Sequence, residues 1–266
     1  EDTTVSTLTD SWPAQALKGT GYTLMLLLNA LGHITDLFKR SGALFTQMYV
    51  IGVQSLLIAC FFLMLVGMVF ALQTGIELSR FNQTSLVGII IAAGMVRELG
   101  PWMTAFVLVA RVGGSMAAEI GTMQVSEEID ALEVMSINPS SFVVMPRILG
   151  YAIMGPILTV IATCVGIAGG ALVARLQLSV PLVDFLRNAK NGVEPLDIYW
   201  GLLKSFIFSL AAASVACSYG MRTRGGAVGV GAASRNTVVV SLTLIVFFNY
   251  LLTSFYRIVK TLITGV

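Results

Sequence analysis

The stretch YVIGVQSLLIACFFLMLVGMVFALQTGI, residues 49–76, contains no charged side chain. An α-helix rises about 1.5 Å per residue, so a helix of this length would extend for about 42 Å. The hydrocarbon core of a bilayer is about 30 Å thick. The stretch therefore predicts a helix that crosses a membrane.

The composition of the whole chain agrees with this prediction. Of the 266 residues, 56% are hydrophobic and only 11% are charged, whereas soluble domains carry about 25% charged residues. The net charge of +2 indicates no nucleic acid or other strongly charged partner. Four more stretches are long and apolar enough to span, so we predict an all-α membrane protein with five transmembrane helices: 49–76, 86–118, 142–173, 198–218 and 238–263.

A shorter apolar segment, 22–34, precedes the first span. It is too short to cross the bilayer, and Lys18 lies before it while Lys39 and Arg40 follow it. This arrangement is typical of a helix that lies in the membrane interface, and we expect His33 to be a polar tip there. A buried entry helix is an equally good interpretation.

The polar segments between the spans predict the loops and the orientation. We expect loops at 79–84 and 176–195, and a flexible glycine-rich, basic loop at 221–235. The loops on the side of the N-terminus and of the acidic segment 119–139 carry seven lysines and arginines, against six on the other side. This bias predicts that the N-terminus and the segment 119–139 lie on the cytoplasmic side and that the C-terminus lies on the outer side.

The acidic segment contains VSEEIDALEVMSINP, residues 125–139, which has the pattern of one short amphipathic helix. Ser126 is the expected N-cap, and Asn138-Pro139 is the expected end. At 100° per residue, the apolar residues share one arc and the acidic residues lie mainly opposite. The apolar set is Val125, Ile129, Leu132 and Met135, and the acidic set is Glu127, Glu128, Asp130 and Glu133.

Such a helix could simply be solvated beside the membrane. Anionic lipid, however, attracts lysine and arginine and repels a cluster of acids. A cytoplasmic protein partner therefore fits the segment better than the membrane surface does.

Motifs for catalysis are missing from the sequence. There is no GxxxxGK[ST] nucleotide-binding motif and no HExxH, and the GVGAAS of residues 229–234 lacks the βαβ context of a dinucleotide site. We expect no catalytic residue and no metal ligand, so the chain is predicted not to be an enzyme.

The stretch AAGMVRELGPWM, residues 92–103, places Arg97 and Glu98 inside the second span. Neighbouring side chains on a helix diverge by about 100°, so these two cannot neutralise each other. Pro101 cannot donate to the carbonyl of Arg97 and should kink the helix there. Each group needs water, a bound headgroup or another helix, and an ion pair between Glu98 and Lys204 is one alternative.

Five motifs resemble the MlaE/YrbE permease family: RELGP (97–101), ARVGGSMAAEIGTM (110–123), EEIDALEVM (127–135), NP (138–139) and PRILG (146–150). The resemblance extends over about 47–257. It implies one permease domain over 1–266, with an N-terminal segment at 1–44 that carries the interfacial helix and a five-span region at 45–266. Such permeases are homodimeric inner-membrane subunits of bacterial ABC systems that move phospholipid between the two membranes and maintain outer-membrane lipid asymmetry.

The resemblance also implies partners. A cytoplasmic MlaF-like ATPase would bind ATP and Mg²⁺, so no cofactor is expected in this chain. The ATPase would hold the acidic segment as a coupling helix through Glu127, Glu128, Asp130, Leu132 and Glu133. An MlaB-like STAS protein would bind the ATPase, and a periplasmic MlaD-like hexamer of MCE proteins would cover the outer face.

The site implied by the resemblance is a lipid cavity between the two protomers. Arg97 and Glu98 would lie at it, and Lys204 and Arg235 match further polar positions of the family. The candidates for the apolar part are Leu72, Gln73 and Leu99. The residues alone also allow a stand-alone secondary transporter with Glu98 as its proton or cation site, or a membrane scaffold that only docks partners.

Overall fold

In a computed structural model, which describes residues 12–32 and 41–264, every regular element is a helix. Five of these helices are long and apolar enough to cross a membrane, so the prediction of an all-α protein with five spans is confirmed. The helices are α1 (Trp12–Gly32), α2 (Gly42–Arg80), α3 (Thr84–Val125), α4 (Glu128–Val134), α5 (Ser140–Gln177), α6 (Leu182–Asn191), α7 (Pro195–Met221) and α8 (Gly226–Thr264). The spans are α2, α3, α5, α7 and α8.

Helix α3 contains two π-helical turns, at Met95–Leu99 and at Val109–Gly113. Pro101 follows the first of them, in the first turn of the α-helical segment Gly100–Leu108. Because proline has no N–H, the regular hydrogen-bond ladder is interrupted at this point. π turns inside long helices are frequent at functional sites.

The spans pack through small residues. Helix α5 lies between α2 and α7, and α7 packs in turn on α3 and α8. A Cβ atom on Gly67 of α2 would collide with the carbonyl oxygen of Gly166 on α5, so the two backbones approach as closely as helices in lipid commonly do. Helix α7 is the most buried of the spans and α8 is the least buried.

The flexible loop predicted at 221–235 is mostly helix. Only a short turn after Met221 separates α7 from α8, and α8 begins at Gly226 rather than at residue 238. Its small residues let it lie against α3, where a Cβ on Gly114 would be 3.0 Å from the Ser234 hydroxyl. Packing therefore overrides the low helix propensity of glycine here.

The loop predicted at 176–195 contains α6. Phe185 is fully buried, and the side-chain amide of Asn188 donates to the Ser85 carbonyl at 2.7 Å. Phe185 and Ala189 lie one turn apart, which gives α6 an apolar face against the start of α3. The short turn predicted at 79–84 is confirmed, since only residues 81–83 separate α2 from α3.

Helix α4 is shorter than the helix predicted at 125–139. The amide of Ser126 donates to the Thr122 carbonyl at 2.9 Å and so belongs to the end of α3. Glu127, with φ of 60°, then interrupts the helix in a left-handed conformation and is the N-cap of α4. Ser126 is therefore not the N-cap, because α3 continues further than predicted.

Two of the four residues predicted to form the apolar face of this segment pack against the core. Ile129 is buried and Leu132 packs against the core, whereas Val125 and Met135 are exposed. Only the two residues that face the end of the bundle find apolar neighbours.

At the N-terminal end, α1 includes residues 22–32 of the segment predicted as an interfacial or entry helix. Residues 33–34 of that segment, with His33, lie outside the described residues, as do Lys39 and Arg40 and the side chain of Lys18. The placement of α1 in a membrane interface stays a prediction.

Candidate functional site

Arg97 and Glu98 on α3 each pair with a residue of α7. Arg97 Nη2 donates to Asp197 Oδ2 at 2.7 Å, and Lys204 Nζ donates to Glu98 Oε1 at 2.6 Å. The two neighbours do not neutralise each other, and the interhelical pair of Glu98 with Lys204 is the alternative that the structure shows. We call these four side chains, together with Thr253 and Tyr256 of α8, the charged cluster.

Lys204 also satisfies the carbonyl that Pro101 leaves without a helical donor. Its ammonium donates to Arg97 O at 3.1 Å and to Thr253 Oγ1 at 2.8 Å. An ammonium has three protons, and with Glu98 these acceptors use all three. The hydrogen-bond donor that the Arg97 carbonyl needs is therefore the ammonium of Lys204 on α7.

Asp197 is the buried anchor of the other half of the cluster. Its carboxylate accepts hydrogen bonds from Arg97, from the Tyr256 hydroxyl and from the backbone N–H of Glu194 at 3.0 Å. The last bond belongs to a capping box at the start of α7. Asp197 therefore joins α3, α7 and α8 at one point.

The α3 groups of the cluster are partly open, whereas its α7 groups are buried. The side chains of Arg97 and Glu98 are 33% and 34% exposed, whereas those of Asp197 and Lys204 are 0% and 1% exposed. The α7 groups thus hold the α3 groups in place while part of each α3 group stays accessible. Two positive and two negative groups make the cluster electrically balanced.

A glycine brings α3 and α7 close enough for these bonds. A Cβ on Gly201 would lie 2.5 Å from the carbonyl oxygen of Val96, which is closer than real Cβ contacts. Gly201 therefore permits the backbone approach beside Lys204.

The other predicted site residues are not part of the charged cluster. Leu99, in the same π turn as Arg97, is partly buried. Arg235 is exposed on α8, 18 residues before Thr253, which is about 27 Å along the helix. Leu72 and Gln73 are on an exposed face of α2. The structure thus brings together Arg97, Glu98 and Lys204 and separates the other polar candidate, Arg235, from them.

Sequence reasoning missed Asp197, Thr253 and Tyr256. Asp197 lies one residue before the predicted fourth span, 198–218. The pattern Glu194-Pro-Leu-Asp197 is a capping signal that could have placed Asp197 in the first turn of the helix. For α8, the spacing of Thr253, Tyr256 and Lys260 marks one polar stripe on an apolar helix.

On the opposite side of the bundle, α4 presents its acids to solvent. Glu127, Glu128, Asp130 and Glu133 are all exposed. A cavity of about 700 Å³ lies beside α4. Its lining includes Glu127 and Asp130 together with Tyr22, Arg222 and Arg224.

Helix α1 is attached at this cavity. The Arg222 guanidinium lies 5.2 Å from the Tyr22 ring centroid, and the Thr23 hydroxyl donates to Ser218 Oγ at 2.8 Å. Burial raises the pKa of the Tyr22 phenol, although the nearby Arg222 charge acts in the opposite direction. Helices α1 and α4 therefore lie on the same side of the bundle.

Comparison with known proteins gives a consistent result. Residues 44–255 match the family model described as Permease MlaE. A probable ABC transporter permease protein of Synechocystis sp. is 37% identical over 206 residues, which cover 77% of this chain and 78% of the relative. A protein of the same description from Rickettsia conorii is 36% identical over 210 residues, covering 79% and 81%.

A plant relative is also similar. The chloroplastic protein TRIGALACTOSYLDIACYLGLYCEROL 1 of Arabidopsis thaliana is 35% identical over 191 residues, which cover 72% of this chain and 55% of the relative. The family model covers most of the chain, and the matched residues include five of the six members of the charged cluster, all but Tyr256. The chain is therefore a multi-pass membrane protein that belongs to the MlaE permease family of ABC transporter permeases.

Proposed function

We propose that this chain is the permease subunit of an ATP-driven transporter that moves phospholipid between the inner and outer membranes of a bacterium and so maintains lipid asymmetry. The charged cluster is the observation that carries the proposal. It holds charged groups of both signs on the spanning helices α3 and α7, and a charge inside a membrane costs about 2.5–3.5 kcal/mol on insertion scales. Such groups normally serve a substrate pathway.

The cluster suits a lipid headgroup in its geometry. About one third of each of the Arg97 and Glu98 side chains is exposed, so a cationic and an anionic group are accessible next to each other. The buried Asp197 and Lys204 fix the positions of these two side chains through ion pairs. Arg97 Nε is buried and makes no hydrogen bond to the described part of the chain, so the exposed part of the guanidinium, and not Nε, would contact a headgroup. The name of the Arabidopsis relative is that of a glycerolipid, which supports this substrate class.

Energy would come from a separate chain. The exposed acids of α4 are suited to a basic groove on a cytoplasmic MlaF-like ATPase, which would bind ATP and Mg²⁺. An MlaB-like STAS protein would bind that ATPase, and a periplasmic MlaD-like MCE hexamer would receive the lipid. The permease would act as a homodimer in the inner membrane, without catalytic residues or a cofactor of its own.

The pairing of Glu98 weighs against the secondary-transporter alternative. Its carboxylate already accepts hydrogen bonds from Lys204 and from Thr253 at 2.6 and 2.9 Å, which leaves little negative charge for a transported cation. The scaffold alternative gives the cluster no role at all.

The test is ATP-dependent transfer of a fluorescent phospholipid from vesicles that contain the permease with its ATPase and MCE partners. We expect Arg97→Gln and Glu98→Gln to lower the initial rate at least about tenfold, because each removes a charge-assisted contact. Arg187→Gln, an exposed arginine of α6, is the matched control and should keep the rate. Unchanged transfer in both cluster variants would support the scaffold, and transfer by the permease without its ATPase would support the secondary transporter.

A further inference from the structure

Arg111 is a second cation inside α3, and the charged cluster does not use it. It lies 14 residues after Arg97, which is about 21 Å along the helix. Arg111 belongs to the second π turn, Val109–Gly113, just as Arg97 and Glu98 belong to the first. Both π turns of α3 therefore carry charge.

The depth of Arg111 follows from a contact between helices. The Cys217 thiol of α7 lies 3.9 Å from the Met116 sulfur of α3. Counting from Arg111 to Met116 and from Cys217 to the end of α7 at Met221 gives nine residues, or about 14 Å. Since α7 as a whole is about 40 Å long, Arg111 lies level with the interior of this span, in the half of the bundle on the α4 side.

The guanidinium of Arg111 is held but has no counter-ion. Its Nη1 donates to the hydroxyl of Ser55 on α2 at 2.7 Å, and Ser55 is fully buried. Over residues 12–32 and 41–264, no carboxylate lies within ion-pair distance of it. By contrast, Arg97, Lys204 and Arg147 are each paired with an acid.

The site is open at the surface of the single chain. Arg111 is partly exposed, and the neighbouring small residues Ala110 and Ser115 are exposed on α3. Four N–H groups of the guanidinium remain after the bond to Ser55, enough for the two-oxygen contact that arginine makes with phosphate. Basic sites between transmembrane helices commonly bind acidic headgroups.

We propose that Arg111 and Ser55 form a second lipid site, which binds the phosphate of an anionic phospholipid in the leaflet on the α4 side. The absence of a neighbouring acid distinguishes this site from the balanced cluster, because nothing at Arg111 would pair with the cation of a zwitterionic headgroup. Glu98 and Glu119 of α3 and Asp197 of α7 are each already paired with a basic residue, so a second copy of the chain would not offer a free carboxylate from these three positions. The proposal deepens the lipid function proposed above.

The experiment uses the full-length permease in phosphatidylcholine vesicles with a photoactivatable phosphatidylglycerol, and maps the labelled peptides by mass spectrometry. We expect labelling of α2 around Ser55 and of α3 around Ala110, lowered about tenfold or more by Arg111→Gln. Arg111→Lys, which keeps the charge and loses the planar fork, and Ser55→Ala should each lower it less. Arg175→Gln, an exposed arginine at the far end of α5, should not change it.

Equal labelling by a photoactivatable phosphatidylcholine would overturn the anionic preference, and unchanged labelling in folded Arg111→Gln would overturn the site. Competition by inorganic phosphate would assign the site to soluble phosphate instead of lipid. If Arg111→Gln does not fold, unchanged labelling in both Arg111→Lys and Ser55→Ala overturns the proposal. The labelling assay contains no ATP, so labelling at Arg111 would still be seen if the proposed transport function were wrong. Conversely, absence of labelling at Arg111 would not change the result of the lipid-transfer assay with the Arg97 and Glu98 variants.

Discussion

Pro101 removes one backbone donor from α3, and Lys204 replaces it from another helix. The same ammonium neutralises Glu98, so one side chain satisfies both an unpaired helix carbonyl and a partly buried acid. In hydrocarbon, either group would be costly if left alone. The side chain of Lys204 is therefore central to the stability of the site as well as to its charge.

Replacing Lys204 by methionine should destabilise the permease by about 2–4 kcal/mol. The variant leaves Glu98 without its cation and the Arg97 carbonyl without its donor. The lower part of this range is expected, because Glu98 is one-third exposed and can be partly solvated. Thermal unfolding in detergent would measure the change.

Lys204→Arg is the control for this variant, since it retains the charge and should lose less stability. An unfolding temperature for Lys204→Met equal to that of the native chain would show that the ammonium does not support α3.

Among the elements, the approach of α7 to α3 depends on Gly201. A methyl group there would meet the Val96 carbonyl, so the two helices would have to separate beside Lys204. We expect Gly201→Ala to cost about 1–3 kcal/mol through this overpacking, measured as a lower unfolding temperature. Gly21→Ala on α1, where a Cβ meets no atom within 4 Å, should not lower it.

The α4 element carries a separate prediction about assembly. Changing Glu127, Glu128 and Asp130 together to lysine should release the ATPase, because these exposed acids would then repel a basic groove. The unfolding temperature should stay near that of the native chain, since the three side chains are exposed. Copurification in mild detergent measures the binding.

Asp184→Lys, a charge reversal on the exposed face of α6, is the matched control and should retain the ATPase. Full retention by the triple variant would refute the coupling role of α4.

At the scale of the whole molecule, the structure separates two ends of the bundle. Helices α1 and α4 lie at one end, and α6 lies at the other end, next to the start of α7 that carries Asp197. The lysine and arginine counts predict that the α4 end is cytoplasmic. The proposed function requires this orientation, because the ATPase is cytoplasmic.

Cysteine labelling tests the orientation in a chain whose Cys60 and Cys164 are replaced by alanine. A membrane-impermeant maleimide should label Asp184→Cys in intact spheroplasts, and Asp130→Cys only after lysis. The reverse pattern would invert the topology and contradict the coupling role of α4.

The separation of the site residues along the chain explains which of them could be predicted from the sequence. Arg97, Glu98 and Pro101 are adjacent in the chain, so elementary helix geometry showed that each needed an external partner. Asp197 lies 100 residues from Arg97, and Thr253 lies 155 residues from Glu98. No local pattern connects such distances, because those contacts exist only once α3, α7 and α8 have packed.

The sequence by itself determined the membrane class, the five spans and the position of the buried charges, because hydrophobicity and charge act locally along each helix. Only the tertiary structure decided which groups neutralise them, where α8 begins and that 182–191 is helical. Those outcomes depend on close packing between segments far apart in the chain, where glycines admit neighbouring backbones and buried polar groups must find partners. The same packing left Arg111 held by Ser55 without a counter-ion, a feature that neither its neighbours nor its hydropathy reveals.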